Sequence, residues 1–211
     1  MTAPAFEAVH RAAALGEDAG ARFVDDAGRS RRLDALAWHA SEIPGDAGLL
    51  ARAVGPTLDV GCGPGRLTAA LAGVFALGID VSPAAVRSTR RRGGRALLRD
   101  VFAPLPLEGR WRTILLADGN IGIAGEPGRL LRRCAGLLGP GGRVLAELDP
   151  PGTPSWSGEV CLRTDVAPES PPLRWAYVSA DDIATVAASA RLLADSIWTE
   201  DGRWFASLTH L

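Results

Sequence analysis

Four acidic residues, Asp59, Asp80, Asp100 and Asp118, stand at the ends of successive short apolar runs in the middle of the chain. Short apolar runs that alternate with helical segments are typical of parallel β-strands joined by helices. In an open sheet of such strands, ligands bind at the edge where the carboxyl ends of the strands meet. We therefore expect the four carboxylates to surround one ligand site.

A glycine-rich turn follows the first of these strands. Gly61, Gly63 and Gly65 alternate in the segment DVGCGPG. Glycine lacks a Cβ atom and tolerates positive φ, so a ligand can lie directly against such a turn. Asp80 follows Gly61 by about 20 residues, the offset at which an acidic residue accepts hydrogen bonds from ribose hydroxyls. This spacing indicates a ligand that contains adenosine.

A dinucleotide site is the competing interpretation of this turn. Its fingerprint, G-x-G-x-x-G, would place the third glycine at position 66, where the chain has Arg66. The observed order of glycines is instead G-x-G-x-G. The turn therefore favours an adenosine ligand of a different class.

The surrounding pattern predicts a doubly wound α/β fold, with a mostly parallel seven-stranded sheet, helices on both faces and a closing antiparallel hairpin. Ser82 and Pro83 are typical of the start of a helix, and Ser179 is expected to cap a later one. Asp201-Gly202 between two strand-like runs is a strong hairpin signal. The predicted strands are 57–60, 74–79, 95–99, 111–117, 143–148, 192–199 and 203–208, with an additional short strand over 174–178; the predicted helices are 66–72, 83–92, 127–138 and 180–190.

The pattern is weakest in two segments outside this alternation. Residues 1–50 are expected to form an N-terminal helical cap, with a helix over 4–15 and a short hairpin after it. Residues 51–211 are expected to form the ligand-binding domain, in a single-domain protein overall. Within it, residues 150–172 are rich in Pro, Gly, Ser and Thr, which predicts an irregular loop.

The bulk composition disfavours several classes of function. Basic and acidic residues nearly balance, with a net charge of −1 and a pI near 6.3, so nucleic acid is not the expected partner. Three widely spaced cysteines support neither a disulfide framework nor a zinc site, and the sequence suggests no other metal site. No apolar stretch approaches the ~20 residues of a membrane span, and the N-terminus lacks signal-peptide features. We expect a cytoplasmic protein whose oligomeric state the sequence does not indicate.

The motifs LDVGCGPGRLTAAL, LGIDVSP and LLRDVFAPLP resemble those of the class I S-adenosylmethionine-dependent methyltransferases. The resemblance extends over residues 55–150, and the closing helix and hairpin are similar to the end of that fold. It implies S-adenosyl-L-methionine as the cofactor. It also implies methyl transfer to a small-molecule acceptor, most simply at oxygen or nitrogen.

The resemblance also assigns a place to each residue of the proposed site. Asp59 and the glycine turn would surround the methionine end of the cofactor, and Asp80 would bind the ribose. Asp100 and Val101 would meet the adenine, and the loop that begins at Asp118 would lie beside the reacting methyl group. The complete implied set is Asp59, Gly61, Cys62, Gly63, Gly65, Asp80, Val81, Asp100, Val101, Asp118, Gly119 and Asn120.

Methyl transfer from a sulfonium mainly needs a nucleophile held in line and the exclusion of water. A hydroxyl or ammonium acceptor also needs a group that removes its proton. His39, in the segment LAWHASEIP, is the first candidate for that base, and Asp118 is the second catalytic candidate. The alternative for His39 is a packing role. The tryptophans considered for an aromatic substrate pocket are Trp156, Trp198 and Trp204.

Two other functions stay open at this point. The first is an RNA or protein methyltransferase, which the balanced charge and the lack of a separate recognition domain disfavour. The second is a cofactor-binding regulator without transfer activity, because an intact glycine motif supports binding but does not establish turnover. No motif identifies the acceptor.

Overall fold

The computed structural model describes residues 4–71 and 73–211, and within these no helix combines the length and apolar character needed to cross a membrane. The strands are β1 (Arg22–Asp25), β2 (Ser30–Arg32), β3 (Thr57–Val60), β4 (Ala76–Asp80), β5 (Ala96–Leu98), β6 (Trp111–Leu116), β7 (Leu138–Leu148), β8 (Trp156–Arg163), β9 (Leu173–Tyr177), β10 (Leu192–Glu200) and β11 (Arg203–His210). The helices are α1 (Pro4–Ala14), α2 (Ala35–His39), α3 (Asp46–Arg52), α4 (Arg66–Ala70), α5 (Pro83–Arg91), α6 (Pro127–Leu137) and α7 (Ile183–Ser189), with a 3₁₀ segment at Asn120–Gly125.

The larger sheet has seven strands in the order β10-β11-β7-β6-β3-β4-β5. The five strands from β7 to β5 run parallel, and the hairpin β10–β11 adds antiparallel to β7. This arrangement confirms the predicted doubly wound fold and its closing hairpin. The strand order reverses between β3 and β6, so the carboxyl ends of these two strands form the switch point at which such sheets bind ligands.

Apolar layers cover both faces of the larger sheet. All four residues of β3 are buried, as expected for a central parallel strand. Leu130 and Leu131 of α6 pack on one face, and Leu49 of α3 and Leu67 of α4 pack on the other. The core thus holds the strand ends in fixed positions relative to one another.

The start of α5 follows the predicted capping pattern. The Ser82 hydroxyl accepts a hydrogen bond from the backbone N–H of Ala85 (3.2 Å), and Pro83 occupies the first turn. A serine cap of this kind stabilises a helix by about 1 kcal/mol. This serine hydrogen bond fixes the chain immediately after Asp80, the carboxylate that the sequence predicts to bind a ligand.

The smaller sheet has the order β2-β1-β8-β9 and joins two distant parts of the chain. β1 and β2 form the predicted N-terminal hairpin, and β8 pairs antiparallel with β1. Helix α1 packs on this sheet through a buried cluster. That cluster includes Ala5, Val9, Phe23, Val160 and Leu162. We call α1, α2 and the smaller sheet the cap.

Two side chains fasten the cap to α5. One carboxylate oxygen of Glu7 accepts hydrogen bonds from the Ser82 hydroxyl (2.8 Å) and from the backbone N–H of Ala84 (3.3 Å). At the other end of the helix, the guanidinium group of Arg92 donates to the carbonyl oxygens of His39 and Ala40. The cap is therefore attached at both ends of the helix that follows Asp80.

Several sequence expectations are wrong in detail. Residues 150–172 contain β8, whose partner β1 lies far away in the sequence, so the local composition gave no sign of the pairing. Ser179 does not cap α7, because that helix begins at Ile183. The Ser179 hydroxyl instead accepts a hydrogen bond from the backbone N–H of Asp181 (3.2 Å) and donates one to the carbonyl of Pro150 (3.3 Å). β7 begins at Leu138, earlier than expected, because the glycine-rich stretch after α6 continues into the strand.

Candidate functional site

A cavity of about 450 Å³ lies at the carboxyl ends of β3, β4, β5 and β6, beneath the cap. Its volume is within the range of small-molecule sites, ~300–1,000 Å³. Of the residues predicted to bind the cofactor, all except Gly65 and Gly119 line this cavity. The lining members are Asp59, Gly61, Cys62, Gly63, Asp80, Val81, Asp100, Val101, Asp118 and Asn120.

Gly63 is the point at which the glycine turn opens into the cavity. Its φ is +52°, and a Cβ atom at this position would meet no heavy atom within 4 Å. Gly65 is needed for a different reason, because a Cβ there would lie 2.7 Å from Thr89 of α5. Gly65 does not line the cavity, and glycine at this position allows the close packing of α5.

Asp80 holds the glycine turn against the end of β4. One of its carboxylate oxygens accepts a hydrogen bond from the backbone N–H of Gly63 (2.9 Å), and the other accepts from that of Ser82 (2.7 Å). Burial raises the pKa of Asp80, although these hydrogen bonds oppose the rise. The backbone of Val81 also donates to this carboxylate, which still has acceptor capacity for a ligand with hydroxyl donors.

Asp59 is only 2% exposed, yet it lines the cavity. Its Oδ2 atom accepts a hydrogen bond from the Thr68 hydroxyl (2.6 Å), and no residue that the structure describes donates to Oδ1. Burial raises the pKa of Asp59 to about 6, against the Thr68 hydrogen bond and with the help of Asp118. A cation beside Oδ1 would stabilise the ionised carboxylate and lower this pKa.

The loop after β5 also lines the cavity, through Asp100 and Val101. The Oδ1 atom of Asp100 accepts a hydrogen bond from the backbone N–H of Phe102 (2.9 Å). The carbonyl of Val101 accepts one from Nε of Arg133 (2.9 Å), and the Val101 side chain is buried. These bonds fix the loop and leave the second carboxylate oxygen of Asp100 available for a donor on a ligand.

A buried ion network borders the cavity at Asp118. Nη2 of Arg66 lies 2.6 Å from both carboxylate oxygens of Asp118, and Nη2 of Arg203 lies 3.3 Å from one of them. Both guanidinium groups also pair with Asp46. Arg203 completes the network with two hydrogen bonds to Glu147, at 2.8 and 2.9 Å. The network connects α3, α4, β7 and β11 to the loop after β6.

Asp118 is held tightly by this network. Its φ is +53°, and its backbone N–H donates to Oε2 of Glu147 (2.5 Å). Burial raises the pKa of Asp118, while Arg66 and Arg203 oppose the rise. Guanidinium donors contact both of its carboxylate oxygens, which favours a role for Asp118 in holding the cavity wall in position. This placement argues against its expected role as a catalytic proton acceptor.

Asn120 connects the loop after β6 to the end of β3. Its Nδ2 atom donates to the carbonyl oxygens of Val60 and Gly61, both at 3.0 Å. A Cβ on Gly61 would come within 2.8 Å of the Asn120 side chain, so glycine is required to admit it. Gly119, with φ +81°, supplies the left-handed turn ahead of Asn120 without lining the cavity.

His39 lies behind the cavity wall, although the sequence identified it as the candidate base. Its Nε2 atom lies 3.3 Å from Nδ1 of His10, and His10 lines the cavity. Burial lowers the pKa of His39 to about 4, with contributions from His10 and Arg92. Burial also lowers the pKa of His10, although Glu7 opposes this change. Both rings are therefore uncharged at neutral pH.

The half of the cavity beneath the cap is mainly apolar and aromatic. We call it the cap chamber and define it by Phe6, His10, Phe23, Leu33, Trp38 and Trp175. The Phe23 ring lies 6.2 Å from that of Phe6 and 5.1 Å from that of Trp175, measured between centroids. The prediction that other tryptophans line a substrate pocket is wrong for this cavity. The residues concerned, Trp156, Trp198 and Trp204, lie outside it.

Residues 57–142 match the family model of a methyltransferase domain. The matched segment runs from β3 into β7 and includes the glycine turn, Asp80, Asp100 and Asp118. Together with the strand order of the larger sheet, the match shows that residues 57–142 are similar to a methyltransferase domain, within a fold that solved methyltransferase structures share.

Three known methyltransferases are similar to this chain, one in sequence and two in structure. The trans-aconitate 2-methyltransferase of Methylobacterium radiotolerans is 34% identical over 95 residues, and the match covers 43% of this chain but only 36% of that protein. A methyltransferase from Bacteroides fragilis, in complex with S-adenosyl-L-homocysteine, aligns with a TM-score of 0.77 at 24% identity, covering 99% of this chain and 95% of that one. The 1,6-didemethyltoxoflavin-N1-methyltransferase of Burkholderia thailandensis aligns with a TM-score of 0.55 at 18% identity, covering 82% and 83%. At these identities the two solved structures show a shared fold.

Proposed function

We propose that the protein transfers a methyl group from S-adenosyl-L-methionine to a small-molecule acceptor, at an oxygen or nitrogen atom. One observation carries the proposal: the glycine turn and Asp80 open onto a cavity that continues into the cap chamber. One end of this cavity has groups that suit an adenosyl ligand, and the other end has space for a second small molecule. The near-neutral net charge supports a small acceptor over RNA.

The residues at the strand ends fit this cofactor. Asp80 has lone pairs for ribose hydroxyls, Asp59 has Oδ1 for the methionine ammonium group, and Asp100 has an oxygen for the adenine amine. Gly63 lets the ligand approach the backbone because no side chain fills the space there. When bound, the cofactor supplies a methyl group on a positively charged sulfur, which is a good leaving group.

The chain itself mainly contributes position and exclusion of water. The ion network at Asp118 and the hydrogen bonds of Asn120 fix the wall between the cofactor end and the cap chamber. Glu7 and Arg92 fasten the cap that shields this space from solvent. Holding two reactants in an aligned geometry contributes roughly 7–11 kcal/mol to a reaction of this kind.

Cofactor affinity should depend on pH through Asp59. In the free protein its pKa of about 6 leaves it mostly ionised at pH 7 and mostly protonated at pH 5. Because a bound ammonium group needs the ionised form, binding is strongest above about pH 6 and weakens below it. We expect the Kd for S-adenosyl-L-homocysteine, measured by calorimetry, to rise about tenfold from pH 7 to pH 5.

The matched variant is Asp59→Asn, which keeps the shape of the side chain but cannot ionise. It should bind weakly at both pH values and lose most of the pH dependence. An equally steep dependence in wild type and variant would assign the effect to another group.

Transfer of label from methyl-labelled S-adenosyl-L-methionine tests the activity directly. The purified protein would be incubated with a panel of phenols, aryl amines, polycarboxylates and tRNA. We expect label in small-molecule products, with an equal amount of S-adenosyl-L-homocysteine, and no transfer by Gly63→Val. Label in tRNA or in protein alone would contradict the proposal and favour the macromolecular alternative. Cofactor binding without any transfer would favour a regulatory protein.

A further inference from the structure

We propose that the cap chamber takes an aromatic acceptor with a hydroxyl or N–H group, and that His10 accepts the proton of that group while His39 orients its ring. The inference rests on the proposed function and names the substrate class and the proton acceptor of the same site. Three observations support it: the chamber walls, the distribution of charge around them, and the contact between the two histidines.

The chamber walls suit a flat apolar molecule. Phe6, Phe23, Trp38 and Trp175 present four aromatic rings, and Leu33 adds an aliphatic side chain. Phe23 is almost fully buried, so the position of its ring is fixed by packing. Aromatic pairs in edge or offset geometry contribute about 0.5–1.5 kcal/mol beyond the burial of their area. An aromatic acceptor is therefore favoured over a polar aliphatic one.

The charges around the cavity do not suit a polycarboxylate. Arg66 reaches the cavity, but its guanidinium group is already paired with Asp46 and Asp118. Arg99 follows β5 and lies at the end that Asp100 occupies. Among the described residues that define the cap chamber, none carries a free positive charge. A tricarboxylate like trans-aconitate would therefore be buried there without counter-charges, which is costly.

His10 is the ionisable side chain of the chamber, and only 6% of its surface is exposed. Its Nδ1 atom contacts Nε2 of His39, and within the described chain no group bonds to its Nε2 atom. A hydrogen bond from Nδ1–H of His10 to His39 leaves Nε2 of His10 with a lone pair for an acceptor proton. The charged groups that face the pair are Glu7 on α1 and Arg92 beyond α5.

The proton transfer is balanced within the chamber. In a hydroxyl acceptor the O–H bond breaks, its proton moves to Nε2 of His10, and the bonding pair stays on the oxygen as the nucleophile. An amine acceptor attacks with its own lone pair, and its N–H bond then breaks and gives the proton to Nε2 of His10. The resulting imidazolium keeps its hydrogen bond to His39, which remains neutral because burial and Arg92 lower its pKa to about 4. His10 is thus the catalytic residue, and His39 is a positioning residue that selects the tautomer.

Ring NMR of the protein saturated with S-adenosyl-L-homocysteine tests this proposal. The chain has three histidines, His10, His39 and the exposed His210, so each contributes one set of imidazole signals. We expect 2-naphthol to shift the His10 signals and to leave those of His210 unchanged. We expect His39→Gln to change the tautomer populations of His10 without loss of cofactor binding.

Kinetics give the second readout. For the best phenol of the acceptor panel, His10→Gln should lower kcat by about 10²–10⁴-fold with little change in KM or in the Kd for S-adenosyl-L-homocysteine. Cofactor is kept saturating at every pH, so that protonation of Asp59 does not limit the rate. Because burial lowers the pKa of His10, the wild-type kcat should then fall only below the pH range of an ordinary histidine, and this acid limb should disappear in His10→Gln. His210→Gln is the matched control and should behave as wild type.

Each remaining outcome counts against the inference. Unchanged His10 signals with 2-naphthol, an unaltered kcat in His10→Gln, or a panel in which neither a phenol nor an aryl amine is methylated would each overturn it while cofactor binding stands. Failure of the wild-type protein to bind S-adenosyl-L-homocysteine would instead overturn the proposed function, and this inference with it.

Discussion

Replacing Gly63 by valine should weaken the binding of S-adenosyl-L-homocysteine at least a hundredfold. Gly63 has φ +52°, and the space where a Cβ atom would stand is the open cavity itself. A valine side chain would occupy the space into which we place the ligand, and it would also displace the N–H group that binds Asp80. We expect calorimetry to give a titration close to baseline, with the fold retained.

The matched control is Gly109→Val. Gly109 has φ +72° and open space around its Cβ position, but it does not line the cavity. Both variants suffer the cost of a β-branched residue at positive φ, which is about 1–3 kcal/mol. Equal losses of affinity in the two variants would show that backbone strain, and not ligand space, explains the effect of Gly63→Val.

Removing the charge of Arg66 should destabilise the protein by about 3–5 kcal/mol, because the change leaves buried carboxylates without their main partner. Arg66 is 3% exposed, and the carboxyl group of Asp46, its closest partner, is 1% exposed. In Arg66→Met the methylene packing is largely kept while the ion pairs with Asp46 and Asp118 are lost. Urea unfolding at pH 7 measures the change in the free energy of unfolding.

The dependence of this effect on pH provides a second check. Burial alone raises the pKa of Asp46, but hydrogen bonds from Arg66 and Arg203 hold it below its ordinary value. Without Arg66 that pKa rises, so protonation at lower pH removes part of the unpaired charge. The difference in stability between Arg66→Met and wild type should therefore shrink as the pH falls.

A surface pair supplies the control for Arg66→Met. Arg32 and Asp18 form an ion pair with 73% and 43% of their side chains exposed. An exposed pair contributes about 0–1 kcal/mol, so Arg32→Met should barely change the stability. A loss below 1 kcal/mol in Arg66→Met as well would mean that the buried network contributes little to the fold.

The central part of the fold could be predicted because its signals are local. β3, β6 and α5 follow the predicted ranges closely, since short buried strands, a serine cap and the glycine turn are recognisable in a few adjacent residues. The same locality explains why the strand-end carboxylates, including Asp59 and Asp80, were found together as predicted.

The cap and its chemistry could not be predicted in the same way. β8 forms a strand by pairing with β1, and pairing with a segment so distant in sequence cannot be recognised from the local composition. His10 was missed because its helix lies outside the motif region; the available signal was a single histidine on the buried, alanine-rich face of α1. The ion network was missed for a similar reason, since Asp46, Arg66 and Arg203 come from separate elements.

Calorimetric titration of the wild-type protein with S-adenosyl-L-homocysteine, alongside Asp80→Ala, tests the central claim most directly. We expect binding of one molecule per chain with micromolar or tighter affinity, and roughly a hundredfold loss in Asp80→Ala, since hydrogen bonds to a charged group contribute about 1.5–3 kcal/mol each. A flat titration for the folded wild-type protein, or equal affinity in the variant, would contradict the assignment of this cavity to the cofactor.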